Sequence, residues 1–412
     1  MGNNMKQVKL GDITTYNKGF AFNSKEYTDE GIMVVRVSDF TQESISKDNA
    51  VYILEKDKYA PFKLNTDDIL IQTVGSWANN PNSIVGKVVK VPKDCAGMYL
   101  NQNIVRIIPK ERFNNRYLYY ALKANKFPYY CVMRGQGAAN QASITLDTIF
   151  RFKFNAHDEE TQNKIASILS TYDDLIEKNN RKIEILQEMA EELYKEWFVR
   201  FRFPGYKTAK FIDGIPEGWK ITKIGDRFKT VLGGTPSREK NEYWDGGTIP
   251  WINSGAINLD RIINATEYIT EAAYKHSATE LLPKRSTLVA ITGATLGQIS
   301  LNEIEVCTNQ SVVGIIDEKN QYQLYLFLHL KKCITHLCNY ASGGAQQHIN
   351  KDIINKYKIV IPNQNLIQKF NCIALPIFDE VRDLLVLNTN LTTQRDLLLP
   401  RLMSGKLEVK VS

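Results

Sequence analysis

SGGAQQHINKDIINKYKIVI (342–361) has an earlier counterpart in the same chain, GQGAANQASITLDTIFRFKF (135–154). Both begin with glycine and side-chain amides, pass through an isoleucine and an aspartate, and end on the alternation of a short strand. The match extends outward. KLGDITT (9–15) returns as KIGDRFK (223–229), YLNQNIVRIIP (99–109) as CTNQSVVGIID (307–317), and RYLYYALK (116–123) as LYLFLHLK (324–331). The offset drifts along the chain, as loop insertions in a duplicated domain would make it. The chain is therefore two copies of one module.

Each module is followed by a long helix. Between Asp158 and Arg200 there is no proline or glycine. Apolar residues recur there at spacings of four and three, through Ile165, Leu169, Tyr172, Ile176, Ile183, Leu186, Ala190, Leu193 and Trp197, with Asn179 as the one polar member. A second seam runs through Ile367, Phe370, Ala374, Ile377, Val381, Leu384, Asn388, Leu391, Arg395, Leu398 and Leu402. Pro376 weakens continuity there unless it lies near the helix start or kinks it. Setting Asn179 opposite Asn388 in an antiparallel pair fixes the other layers, from Ile165 with Leu402 to Trp197 with Phe370. It also places Tyr172 against Arg395, whose guanidinium the ring can accept. The pair would form a rod of roughly 50 Å between the modules. The expected organisation is a first domain over 1–157, a central helix over 158–203, a second domain over 204–362 and a C-terminal helix over 363–412.

Charge follows the same division. Lys and Arg outnumber Asp and Glu by 21 to 14 in residues 1–157 and by 19 to 15 in 201–362, whereas 158–200 has 6 against 11. Basic modules on an acidic helix suit a polyanion held by the modules and a protein held by the helices; a solvated charged surface is the plain alternative. The six cysteines form no CxxC pair. His329, Cys333 and His336 are spaced to share a helix face. Cys338 lies off it, and the matching first-copy positions are Ala121, Asn125, Pro128 and Tyr130, so no metal site belongs to the shared plan. No apolar run approaches a membrane span and the N-terminus lacks a secretory signal, so a cytoplasmic location is expected.

GGTPSREKNEYWDGGTIPWINSG (233–255) resembles the start of target recognition domains in specificity (S) subunits of type I restriction-modification enzymes, and SGGAQQHINKDIINKYKIVIP (342–362) resembles their end. ILSTYDDLIEKNNRKIEILQEMAEELYKEWF (168–198) is similar to the central helical region, and QRDLLLPRLMSGKL (394–407) to its C-terminal counterpart. The first module departs at its start, where NKGFAFNSKEYTDEGIMVVRVSDF (17–40) replaces the Gly-Thr-Pro turn. The resemblance implies an α+β fold with two tandem homologous α/β target recognition domains, separated and joined by two long helices forming an antiparallel coiled coil. It implies that each domain reads one half of a bipartite DNA site. The helices would fix the spacer and dock two methyltransferase subunits and, through them, motor-nuclease subunits. S-adenosylmethionine, ATP and magnesium would then belong to those partners, and this chain would carry no cofactor.

Side-chain amides can pair bidentately with adenine and Arg or Lys with guanine, and glycines let a loop approach a groove closely. By position and type, the candidate DNA contacts in module one are Arg36, Ser38, Trp77, Asn79, Asn80, Asn82, Arg134, Gln136, Asn140 and Gln141. In module two they are Thr235, Ser237, Arg238, Lys240, Asn253, Ser254, Thr292, Thr295, Gln298, Gln346, Gln347 and His348. For each loop the competing reading is a solvated turn. Tyr243, Trp244 and Trp251 read as core before base-stacking residues.

Catalytic motifs are missing. NNPNS (79–83) lacks the second proline and the aromatic of an amino-methyltransferase motif, and GATLGQ (293–298) has neither the spacing nor the lysine of a P-loop. Two alternatives remain open at this point: a stand-alone DNA-modifying enzyme with an unrecognised site, and a dimeric scaffold that binds no nucleic acid.

Overall fold

The computed structural model describes residues 5–41, 44–77, 83–124, 126–138, 141–339 and 348–409. They divide into two compact units, 1–178 with 390–412, and 179–389.

In the first unit, Lys153–Ala156 closes the module by pairing antiparallel with Lys6–Lys9, Lys6 opposite Ala156. A four-stranded antiparallel sheet follows, in the order Thr14–Lys18, Ile104–Pro109, Ile69–Gln72, Val88–Lys90. Its strands 69–72 and 104–107 are buried throughout, which explains why they read as continuous Ile/Val/Leu runs. Ile32–Val35 and Tyr99–Leu100 add a parallel pair beside it. Helix Asn115–Lys123 starts where Asn114 accepts the Tyr117 N–H at 2.9 Å, and it buries all of 117–122.

The second unit repeats the plan. Lys358–Ile361 pairs with Lys220–Lys223, and Lys229–Leu232, Val312–Ile316, Thr287–Ala290 and Ile299–Asn302 form the antiparallel sheet. Ile249–Ile252 and Val306–Thr308 supply the parallel pair, and helix Gln323–Cys338 covers the core. The strands named pair in the same order in both copies, module two adding Arg261–Ile262 parallel to the edge strand Ile299–Asn302, so the sequence repeat is a repeat of fold.

The long helices run over Glu159–Tyr194, with a π turn at Lys195–Val199, and over Gln364–Met403. The second helix continues through Pro376. Every expected seam position is buried or half-buried. Asn179 Nδ2 donates to Asn388 Oδ1 at 2.8 Å, and Asn388 Nδ2 donates to Asn180 Oδ1 at 2.8 Å. Ile183, Val381 and Leu384 form one cluster with Leu186, and the Trp197 and Phe370 rings lie 6.0 Å apart. In the first unit, Ile165, Leu169, Leu398 and Leu402 share the module core. The antiparallel register is the expected one. One layer differs in chemistry: the buried Arg395 guanidinium is neutralised by Asp173 Oδ1 at 2.7 Å, the neighbour of Tyr172. A carboxylate within reach outweighs a ring face.

The His/Cys cluster serves packing. His329 Nδ1 meets the Tyr194 hydroxyl at 2.9 Å and His336 Nδ1 meets the Tyr357 hydroxyl at 3.1 Å. Burial pushes His329 from 6.5 down to about 4. The folded unit thus refuses a proton that the unfolded chain takes up. Stability should therefore fall by roughly 3 kcal/mol as pH drops from about 6.5 to about 4. Urea titrations across that window should show the fall, and His329→Gln should flatten it; an equal fall in the variant would assign it to other groups.

Candidate nucleic-acid interface

In module two, four segments meet at one end of the central sheet. Leu232 ends its strand opposite Val313, and Ala290 ends its strand opposite Val312. The chain leaves that edge through Gly233 and Gly234, whose N–H groups donate to Val312 O at 3.1 Å and Thr308 O at 2.8 Å. A Cβ on Gly233 would stand 2.2 Å from Asn309 O, so this approach requires glycine. Thr235 Oγ1 then donates to Gln310 Oε1 at 2.6 Å. On the other side, Thr292 bridges His348, and the Ile349 N–H reaches Ile291 O at 3.0 Å. Thr235, Thr292, Thr295 and His348, nominated from separate stretches, therefore belong to one rim.

Module one forms the same rim from other residues. Gly19 N–H donates to Ile104 O and Thr73 N–H to Asn103 O. Gln136–Ala138 and Gln141–Ser143 make a β-ribbon, Gln136 opposite Ser143, which pairs onward with Val74–Gly75. Gln136 and Gln141 are exposed on it. A two-stranded ribbon fits the major groove. Trp77 packs beside Gly135, where an added Cβ would lie 3.3 Å from its ring. Asn79, Asn80, Asn82, Asn140, Gln346 and Gln347 lie outside the described residues.

Several nominated side chains are engaged within the protein. Arg36 pairs with Asp39 at 2.9 Å and donates to Asn49 O, and Ser38 donates to the same carboxylate. Asn253 caps the Gly255 N–H at 2.9 Å, next to Ser254. Arg238 forms a bidentate pair with Glu267, both contacts 2.7 Å, and its guanidinium lies 3.5 Å from the Trp244 ring centroid. The Glu267 hydrogen bonds hold Arg238 above the usual arginine range. That pair occupies the donor fork a guanine would need. Lys240 reaches the Tyr243 hydroxyl at 3.1 Å. Gln298 Oε1 is buried, which turns its carbonyl away from solvent. The residue types that read bases are also those that cap turns and pair with carboxylates. Tyr243 and Trp251 are core residues, 6% and 2% exposed.

Sequence reasoning missed Gln102 and Gln310. Both are exposed in the turn that enters the central strand at the rim. Their signal was the Asn-Gln of LNQN and TNQS, equivalent in the repeat and used there only to establish the duplication.

Among the described residues no group of three or more His, Cys, Asp or Glu side chains converges to hold a metal, and no helix is long and apolar enough to cross a membrane. Two copies of a module, each with an amide-bearing rim and each followed by a long helix, define a protein with two recognition modules. The model of the type I restriction modification DNA specificity domain matches residues 2–187 and 216–386, and the chain belongs to that family. It is similar to the specificity subunit of type I restriction enzyme MjaIX from Methanocaldococcus jannaschii, with 28% identity over 75% of this chain and 73% of the relative. It is also similar to that of HindI from Haemophilus influenzae, with 23% identity over 98% and 99%. A crystal structure of a type I restriction-modification S subunit from M. genitalium shares the fold with a TM-score of 0.60, at 16% identity over 98% and 97% of the two chains.

Proposed function

We propose that the chain is the non-catalytic, sequence-specific DNA-binding subunit of a type I restriction-modification complex. Each module reads one half of a split site, and the paired helices fix the spacer. The helices dock two methyltransferase subunits, which in turn recruit motor-nuclease subunits. S-adenosylmethionine, ATP and magnesium bind those partners, in the cytoplasm. The family match across both modules carries this reading, and the rims supply its chemistry: exposed amides on a β-ribbon and at turn tips.

Exchange of residues 204–362 for the second module of another family member tests it. Mapping of methylated adenines should show one half of the recognised sequence changed and the other retained. Change in both halves, or in neither, would remove the two-reader scheme. The chain purified alone should neither methylate nor cleave DNA, whereas activity there would restore the stand-alone enzyme.

A further inference from the structure

Module one carries a cleft of about 550 Å³ lined by Lys126, Tyr129, Tyr130, Arg134, Arg151 and Lys153 over Phe152. Four of these side chains are cations. Arg151 pairs with Asp147 at 2.8 Å and Arg134 stacks on the Tyr130 ring at 4.2 Å, while Lys126 and Lys153 are exposed. Tyr129 is 67% exposed, an aromatic face left in solvent between cations. Both walls of the cleft border the rim ribbon along the chain. Arg134 ends helix Lys126–Arg134 two residues before Gln136, and Arg151 to Lys153 follow shortly after Ser143.

We propose that this cleft holds backbone phosphates of duplex DNA flanking the half-site read by module one. The inference rests on the reading of the modules as DNA readers and adds a phosphate site beside the base-reading rim of module one. Lysines act on phosphate as point charges without base preference, and an open cleft lined by cations tracks a backbone. In module two Lys126 and Tyr129 align with Ile334 and Leu337, whereas Lys153, opposite Lys9, has its counterpart in Lys358, opposite Lys223, so only the helix side of the cleft is particular to module one.

The test uses the full chain, assembled with its methyltransferase subunits, carrying Lys126→Ala and Lys153→Ala. The probes are a duplex containing the mapped methylation site and the same duplex with that site scrambled. Both substitutions are at exposed positions, so thermal melting should match wild type. Affinity should fall by the same factor on both probes, and the slope of log K against log salt should shrink by roughly 0.9 for each phosphate that is no longer neutralised. The methylated sequence should stay the same. Trimming the duplex beyond the first half-site should weaken wild type but not the variant. An unchanged salt slope, or a weakening confined to the specific duplex, would overturn the assignment. A wild-type complex with no preference between the two probes would instead overturn the reading of the modules, and its salt slope would still decide the cleft.

Discussion

Replacing Glu303 by alanine should destabilise the 179–389 unit by about 3–5 kcal/mol, the loss typical of breaking a buried ion pair. Glu303 Oε1 accepts from Arg261 at 2.8 Å, and both side chains are 3% exposed. Arg285 approaches the other carboxylate oxygen at 3.8 Å and also pairs with Asp379 of the second long helix. The Arg261 guanidinium lies 4.0 Å from the Phe378 ring centroid on that same helix. Burial raises the Glu303 carboxyl against the pull of Arg261, Arg285 and Arg382, and burial likewise lowers Arg261 to about 10. Both directions mean that ionisation is harder in the folded unit than in the unfolded chain. The pair is therefore a constraint on geometry more than a source of stability. Removing one partner leaves the other as an uncompensated buried charge. Urea midpoints should show the loss for Glu303→Ala, and Arg261→Met combined with Glu303→Leu should recover most of it. A single-variant loss below about 1 kcal/mol would mean that water reaches the site.

How much of this was legible beforehand varied with the kind of signal. The helices were, because a heptad seam spans many residues and two asparagines select one register; Asn179 donates to Asn388 at 2.8 Å. The module fold was legible as a duplication, since equivalent strands kept their apolar runs. The rim was only partly so. Thr235, Thr292 and His348 lie far apart in sequence, and hydrogen bonds across three strands bring them together, which no local pattern announces. Arg36, Asn253 and Arg238 had the right chemistry for bases and are engaged by Asp39, Gly255 and Glu267 instead. Polarity shows what a side chain can bond, and packing decides which bond it makes.

The Arg395 layer shows the same limit inside the helix pair, and it carries the second large effect. Asp173→Ala should destabilise the unit formed by 1–178 and 390–412 by about 3–4 kcal/mol, because it strips a buried guanidinium and a hydroxyl of one shared acceptor. Asp173 Oδ1 accepts from Arg395 at 2.7 Å and Oδ2 from the Tyr120 hydroxyl at 2.6 Å. The Arg395 side chain is 4% exposed, and Asp396, which accepts from its Nε and Nη2, is half in solvent. Most of the expected loss is the penalty of the charge left behind, so it should be reversible by removing the charge. Arg395→Leu in the Asp173→Ala background restores an apolar layer opposite Tyr172 and should regain more than half of the lost stability, leaving Tyr120 as the unmet donor. A double-mutant cycle in urea reads this directly as a coupling energy of about 2 kcal/mol or more. If the double variant were as unstable as the single one, the loss would not come from the guanidinium left behind, and the account of this layer as a charge-compensated network would fall.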